Sequence, residues 1–242
     1  NDEFQHVHKY NPIEHIKTRI KTPESIVKKL RRYGYEISIE NMVKYINDIA
    51  GVRLICSFTS DIYRLAEMIG NQSDLKVLSI KDYIKNPKES GYKSYHMLVS
   101  VPIFLSDSVV DTKVEIQIRT MAMNFWATVE HSLQYKYKGD IPQHVTDKLL
   151  VASDAIDVLD HEMSTVRDEI MDAQDSFRKK SNLVSEILHT MQNLYKVANR
   201  HEVLKIQDEF YKIYETGDME RLEHFNKQLD IIAEGYRAQS IS

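Results

Sequence analysis

Glycine is scarce in this chain: seven residues in 242. There is no G-x-x-x-x-G-K-[ST] and no G-x-G-x-x-G, so a glycine-rich loop cannot cradle phosphates here. If nucleotides bind, side-chain cations must hold them. Cysteine is scarcer still. The single Cys56 excludes an intrachain disulfide and fits a reducing compartment, so a cytoplasmic protein is expected. No apolar run reaches the roughly 18 residues that span a bilayer, and no signal peptide is visible, which predicts no membrane partner. An excess of positive charge is also absent. The formal net charge is -4, which argues against a nonspecific duplex-DNA binder but not against a local basic pocket. The chain opens on Asn1 rather than Met, as a fragment of a longer protein would.

Proline is missing from the second part of the chain. All five prolines lie at or before Pro142, as do five of the seven glycines. A boundary is therefore expected near Gly139 to His144, with a domain over 1–142 and a helical region over 143–242. The first part alternates helix and strand signals. Thr22 or Ser25 could cap a helix that runs to about Tyr33 and ends at Gly34, with Pro23 suited to a first helical position. Ser38 to Asn47 reads as a second helix. Val52 to Phe58 reads as a buried central strand. Thr59 or Ser60 is expected to cap a helix that runs through Ile69 and ends at Gly70. Strands are expected at Leu75–Ile80, Tyr95–Val101 and Val109–Arg119, and a helix from Met121 to about Tyr137. The fold class expected is α/β (α+β), a mixed sheet with flanking helices and a helical C-terminal part.

In that second part, Leu149, Ala152, Ile156, Leu159, Met163, Val166, Ile170 and Ala173 recur at alternating steps of three and four, a heptad seam. A second stripe runs through Val184, Ile187, Met191 and Leu194. Shorter helices follow around Leu204–Tyr214 and Met219–Tyr236. This region reads as scaffold and self-association surface. Packing of the helix lengthwise on its own domain is an equal alternative.

The residues able to do chemistry lie in the first part. In a strand, side chains alternate faces, so Glu115, Gln117 and Arg119 share one face and Val114, Ile116 and Ile118 the other. Nearby stands Gly91-Tyr92-Lys93-Ser94-Tyr95-His96. Tyr92 could stack on a base, Lys88 and Lys93 could hold phosphates, and His96 could bond phosphate or ribose. Arg19 and Lys21 lead into the first helix, where Lys29 and Arg32 face together. Asp48 stands at the mouth of the central strand, as a Mg²⁺ ligand or as the partner of Arg53. His6 and His8 could face together, but such pairs are more often surface residues, and no structural zinc is predicted.

The ordered set Arg19-x-Lys21, Asp48-Ile-Ala-Gly-Val-Arg53, Lys81-Asp82-Tyr83, Lys88-x-x-Gly91-Tyr92-x-Ser94-x-His96, Glu115-x-Gln117-Ile-Arg119-Thr and Trp126-Ala-x-x-Glu130-His131 resembles the synthetase domain of the RelA/SpoT family of (p)ppGpp synthetases, in its small alarmone synthetase form. The resemblance covers about residues 11–138. It implies a nucleotidyltransferase-like fold and transfer of pyrophosphate from ATP to the 3′-hydroxyl of GTP or GDP, in the bacterial stringent response. It implies Arg19 and Arg53 around adenine, with Lys21, Lys29 and Arg32 on the ATP phosphates. Asp48 would bind Mg²⁺, and Glu115 would bind the metal or take the hydroxyl proton. Tyr92 would lie on guanine, with Lys88, His96 and Gln117 on the acceptor nucleotide. A homo-oligomer, a tetramer, is implied. Ser90 and Ser79 depart from residues common in the family, Asn and Arg respectively. Rival readings are a nucleotidyltransferase that moves a nucleotide, and a non-catalytic module binding nucleotide or RNA.

Overall fold

A computed structural model describes residues 11–136 and 141–241. The elements run β1 (Ile13–Ile20), α1 (Pro23–Arg32), α2 (Ile39–Tyr45), β2 (Ala50–Cys56), α3 (Thr59–Gly70), β3 (Lys76–Asp82), β4 (Tyr95–Phe104), β5 (Val109–Thr120), α4 (Met121–Lys136), α5 (Gln143–Val197), α6 (Arg200–Thr216) and α7 (Met219–Ile241). The fold class is the expected one, a mixed sheet with seven helices among the described residues. His6, His8 and the expected helix end at Tyr137 lie outside the described residues.

The five strands lie in the order β1-β2-β5-β4-β3. Only β2 and β5 pair in parallel; the other neighbours are antiparallel. Strand alternation gives the sheet two unlike faces. One carries Leu54, Cys56, Met97, Val99, Ile116 and Ile118, buried against Ile62, Leu65 and Ala66 of α3. Burying each large aliphatic side chain stabilises the fold by about 1.5–3 kcal/mol before entropy is counted. Cys56 lies in this core, where burial pushes its thiol up to about 12, so it is a packing residue and not a nucleophile.

Local signals set the helix starts. Thr22 caps α1, its side chain accepting from the Ser25 amide, with Pro23 following. Ser38 caps α2 by accepting from the Asn41 amide at 3.1 Å. Gly34 ends the first helical segment with φ +76°, a left-handed conformation that costs a glycine little. The residue before α3 is Phe58, with no side-chain cap bond, so neither Thr59 nor Ser60 caps that helix in the expected way.

β1 is an element the sequence pattern did not suggest. Its isoleucines, Ile13, Ile16 and Ile20, do not keep a period of two, and Ile16 and Ile20 stay exposed at the sheet edge. A register shift between Ile13 and His15 breaks the alternation further. Main-chain pairing with β2 fixes this strand, not burial of its own apolar face.

The chain divides into two compact units, Asn1–Thr165 and Val166–Ser242. The first therefore runs beyond the boundary expected at residue 142. The reason is packing: Trp126 Nε1 donates to the Leu149 carbonyl at 2.9 Å, and the buried Asp160 carboxylate accepts from Thr120 Oγ1 at 2.7 Å. The expected seam and second stripe are one uninterrupted helix, α5, of 55 residues. The second unit has its own core, built on Ile187, Leu194, Val203, Phe210, Leu222, Phe225 and Leu229. No helix among the described residues is long and apolar enough to cross a membrane.

Candidate active site on the polar face of the sheet

The strand registers assemble the face opposite the core. Lys17 pairs with Arg53, Arg53 with Gln117, Gln117 with His96, and His96 with Lys81. Paired residues share a face, so one polar row crosses all five strands. A second row places Arg19 beside Gly51 and Gly51 beside Glu115. The Arg19 side chain lies across Gly51: a Cβ there would touch Arg19 Cγ at 3.4 Å, an ordinary packing distance.

Asp48, just ahead of β2, is the anchor of the donor side. Lys21 donates to one carboxylate oxygen and Lys29 to the other, the latter at 2.8 Å. β1, α1 and the mouth of β2 thus meet at one carboxylate. Burial alone would raise the Asp48 pKa. The bonds and charges of Lys21 and Lys29 outweigh it and hold the group below the usual carboxylate range. Arg53 is not its partner, contrary to one of the two readings of the sequence. Arg53 Nη2 reaches Gln117 Oε1 at 3.4 Å, and its buried Nε has no partner among the described residues. Burial and the neighbouring charges of Arg119 and Arg19 lower the Arg53 pKa. Three guanidiniums thus lie within one another's field, with Glu115 as an acid beside them, and such a surplus of positive charge favours an anion.

Glu115 is held from both sides. Gln117 Nε2 donates to its Oε2 at 2.9 Å, and His96 Nδ1 lies 3.4 Å from Oε1. Burial would raise this carboxyl too, while the hydrogen bond and charge of His96, then Gln117, lower it further than burial and nearby Asp48 raise it. Both acids therefore remain ionised at neutral pH, and each feels the other. Removing the His96 partner should raise the Glu115 pKa. His96→Gln is expected to move the acid limb of the kcat/KM profile to higher pH, read from initial rates across pH; an unmoved limb would detach His96 from Glu115.

The aromatic cluster adjoins Glu115 through bonded groups. Arg119 Nη2 donates to Tyr92 Oη at 2.5 Å, and the same hydroxyl is hydrogen-bonded to His96 Nε2 at 2.8 Å, with Nδ1 of that ring toward Glu115. A second path runs from Arg119 Nη2 to Gln117 Oε1 at 3.0 Å and on to Glu115. Lys88 Nζ stands 4.7 Å from the Tyr92 ring centroid and 4.8 Å from that of Tyr83. Asp48, Lys21, Lys29, Arg19, Arg53, Glu115, Gln117, His96, Tyr92 and Lys88 thus belong to one side of the sheet.

Two other cations are not bonded to Asp48. Arg32 is exposed and lies over Tyr33, 5.3 Å from its ring centroid. Lys93 is not a phosphate cation: it is buried and bonded to Asp157 and to the Ser153 carbonyl. Lys17 also joins the polar row on β1, and its two-residue spacing from Arg19 is the sequence signal for a shared face.

The family model described as the region found in RelA / SpoT proteins matches residues 18–140. The chain belongs to the RelA/SpoT family. Family members similar to it include the GTP pyrophosphokinase YwaC of Bacillus subtilis (strain 168), 45% identical over 170 residues, which are 70% of this chain and 81% of that protein. Among solved structures, small alarmone synthetase 1 from Bacillus subtilis bound to its product pppGpp has a TM-score of 0.64 at 43% identity, covering 70% of this chain and 86% of that one. The same synthetase bound to AMPCPP has a TM-score of 0.60 at 40% identity, over 71% of this chain and 86% of that one. As a RelA/SpoT member, the chain carries Arg53, Glu115, Gln117 and His96 within the matched residues and on one face of its sheet.

Two carboxylates kept ionised beside bound cations suit a hard divalent ion, which takes one or two protein carboxylates plus phosphate and water oxygens. No group of three or more His, Cys, Asp or Glu side chains gathers for a metal among the described residues, so the Asp48–Glu115 pair is the candidate.

Proposed function

We infer that this chain is a GTP pyrophosphokinase, moving the β,γ-pyrophosphate of ATP to the 3′-hydroxyl of GTP or GDP and yielding pppGpp or ppGpp plus AMP. The observation that carries the reading is the polar sheet face, where ionised Asp48 and Glu115 stand between a lysine–arginine cluster and a tyrosine–histidine cluster. A synthetase needs two nucleotides held in line, charge neutralised on the moving phosphates, and a base at the attacking hydroxyl.

The proposed residue roles are those the family resemblance implies, and the placement of the side chains supports them. Arg19 and Arg53 hold adenine between planar guanidiniums. Lys21 and Lys29 hold the ATP phosphates, with Arg32 at the outer end. Tyr92 carries guanine on its ring, and Lys88, His96 and Gln117 contact the acceptor nucleotide. Glu115 takes the 3′-hydroxyl proton as that oxygen bonds to the β-phosphorus of ATP; the bond to the α-phosphate oxygen breaks and AMP leaves. His96 and Gln117 keep Glu115 ionised for this step. Mg²⁺ on Asp48 and Glu115 would neutralise charge on the transferring phosphates.

The proposed assembly is a homo-oligomer, a tetramer. Leu159, Met163, Val166 and Ile170 of the seam are exposed, which supports association along α5. The proposed place of action is the cytoplasm. Incubation with labelled ATP, Mg²⁺ and GTP, GDP or GMP tests the reaction. AMP and a 3′-pyrophosphorylated guanosine are expected, and release of free pyrophosphate would overturn the reading in favour of nucleotide transfer.

A further inference from the structure

Gly91, Tyr92 and Lys93 lie in the loop just before β4, and α5 bonds the first and the third. Ser153 Oγ donates to the Gly91 carbonyl at 2.6 Å, and the Ser153 carbonyl accepts from Lys93 Nζ at 3.0 Å. One residue of α5 thus bonds on both sides of Tyr92. Asp157, one turn further along α5, accepts from Lys93 Nζ at 2.5 Å. Gly91 sits at φ +85°, and a Cβ there would come within 2.9 Å of Ser153 Cβ and 3.3 Å of Leu150 Cδ2. The glycine is required both by its conformation and by the closeness of the helix. The loop is closed on itself as well, with Lys88 N donating to Tyr92 O at 3.2 Å.

Ser153 and Lys93 are buried, whereas Tyr92 is only half-buried. The flanking backbone is therefore fixed to α5, while the tyrosine hydroxyl is fixed to the sheet through Arg119 and His96. A ring held at its root and its tip has little freedom left to lose when a base stacks on it, and such preorganisation raises affinity without new contacts.

We propose that Ser153, with the Lys93–Asp157 pair, is a positioning element for the acceptor nucleotide: it sets the Tyr92 ring from behind and so determines the affinity for GTP and GDP, not for ATP. This rests on Tyr92 as the stacking residue. Ser153 and Asp157 lie on α5, outside the strand and loop motifs that mark the site in the sequence.

Steady-state kinetics of Ser153→Ala, Asp157→Asn, Tyr92→Ala and the Ser153→Ala/Tyr92→Ala double variant test it, with thermal melts alongside. Ser153→Ala is expected to raise the KM for GTP and GDP roughly tenfold, the factor for one well-placed hydrogen bond. Asp157→Asn should raise it less, because Lys93 keeps the Ser153 carbonyl. The KM for ATP, and kcat at saturating GTP, should be unchanged. In the Tyr92→Ala background, Ser153→Ala should add nothing, since its effect passes through the ring. Tyr92→Ala with an unaltered KM for GTP would overturn the stacking role itself. A raised KM in Tyr92→Ala, with Ser153→Ala altering only the melting temperature or both substrates equally, would leave stacking in place and overturn the positioning role.

Discussion

Glu115→Gln is expected to lower turnover by about 10²–10⁴-fold, the range for a positioned general acid or base, with the fold intact. The amide matches the carboxylate in shape. It can still accept the bond that Gln117 Nε2 now gives to Glu115 Oε2. It cannot take a proton from a hydroxyl, and it offers a metal a weaker ligand. The carboxylate sits mid-sheet, between β2 and β4, where the pairing of Gly51 and Leu98 with it fixes its place. A change of rate therefore reports on chemistry more than on movement. Initial rates of AMP release, compared with the melting temperatures of both proteins, make the measurement. Unchanged turnover would remove Glu115 from the reaction.

Asp48→Asn should be nearly as damaging, for a different reason. Its carboxylate oxygens are taken by Lys21 and Lys29, so an amide would turn a donor toward an ammonium group. Both lysines would lose the charge that holds them at the mouth of β2. On the proposal that Asp48 holds the metal, its loss would remove several kcal/mol of transition-state stabilisation, about 10²–10³ in rate. The KM for ATP and the divalent-ion requirement should both rise. Stability supplies a second readout. Because folding depresses the Asp48 pKa, its pairing stabilises the native state above the ordinary carboxylate pKa, and that contribution is lost as pH falls through the lower folded value. The stability difference between wild type and Asp48→Asn should therefore be present at neutral pH and close in acid. A difference that persisted in acid would assign it to packing instead of charge.

Much of the site was legible in one dimension because strand geometry is simple. The period of two put Glu115 and Gln117 on the face opposite Ile116 and Ile118, and the structure keeps that division. Thr22 and Ser38 marked helix starts through side-chain caps, a local interaction that sequence carries directly. Other features were hidden because they depend on partners far along the chain. β1 has no clean alternation, and its strand conformation comes from pairing with β2. Lys93 looked like one more cation in a polar loop until α5 covered it. Arg32 stands on the same helix as Lys29, yet only Lys29 reaches Asp48.

By itself the sequence determined which side chains could do chemistry and which face of each strand they would take, because alternation and capping act over a few residues. It also determined that a bound phosphate would have to be held by side-chain cations, since glycine-rich loops are missing. Only the tertiary structure decided which of those groups meet. Parallel pairing of β2 with β5 brings Asp48 and Glu115 within each other's field, although they are far apart in the chain. Packing of α5 against the first unit's loop withdraws Lys93 from solvent and leaves Tyr92 facing the site. Strand order and helix docking are settled by long-range burial and main-chain pairing, which no short stretch of sequence contains.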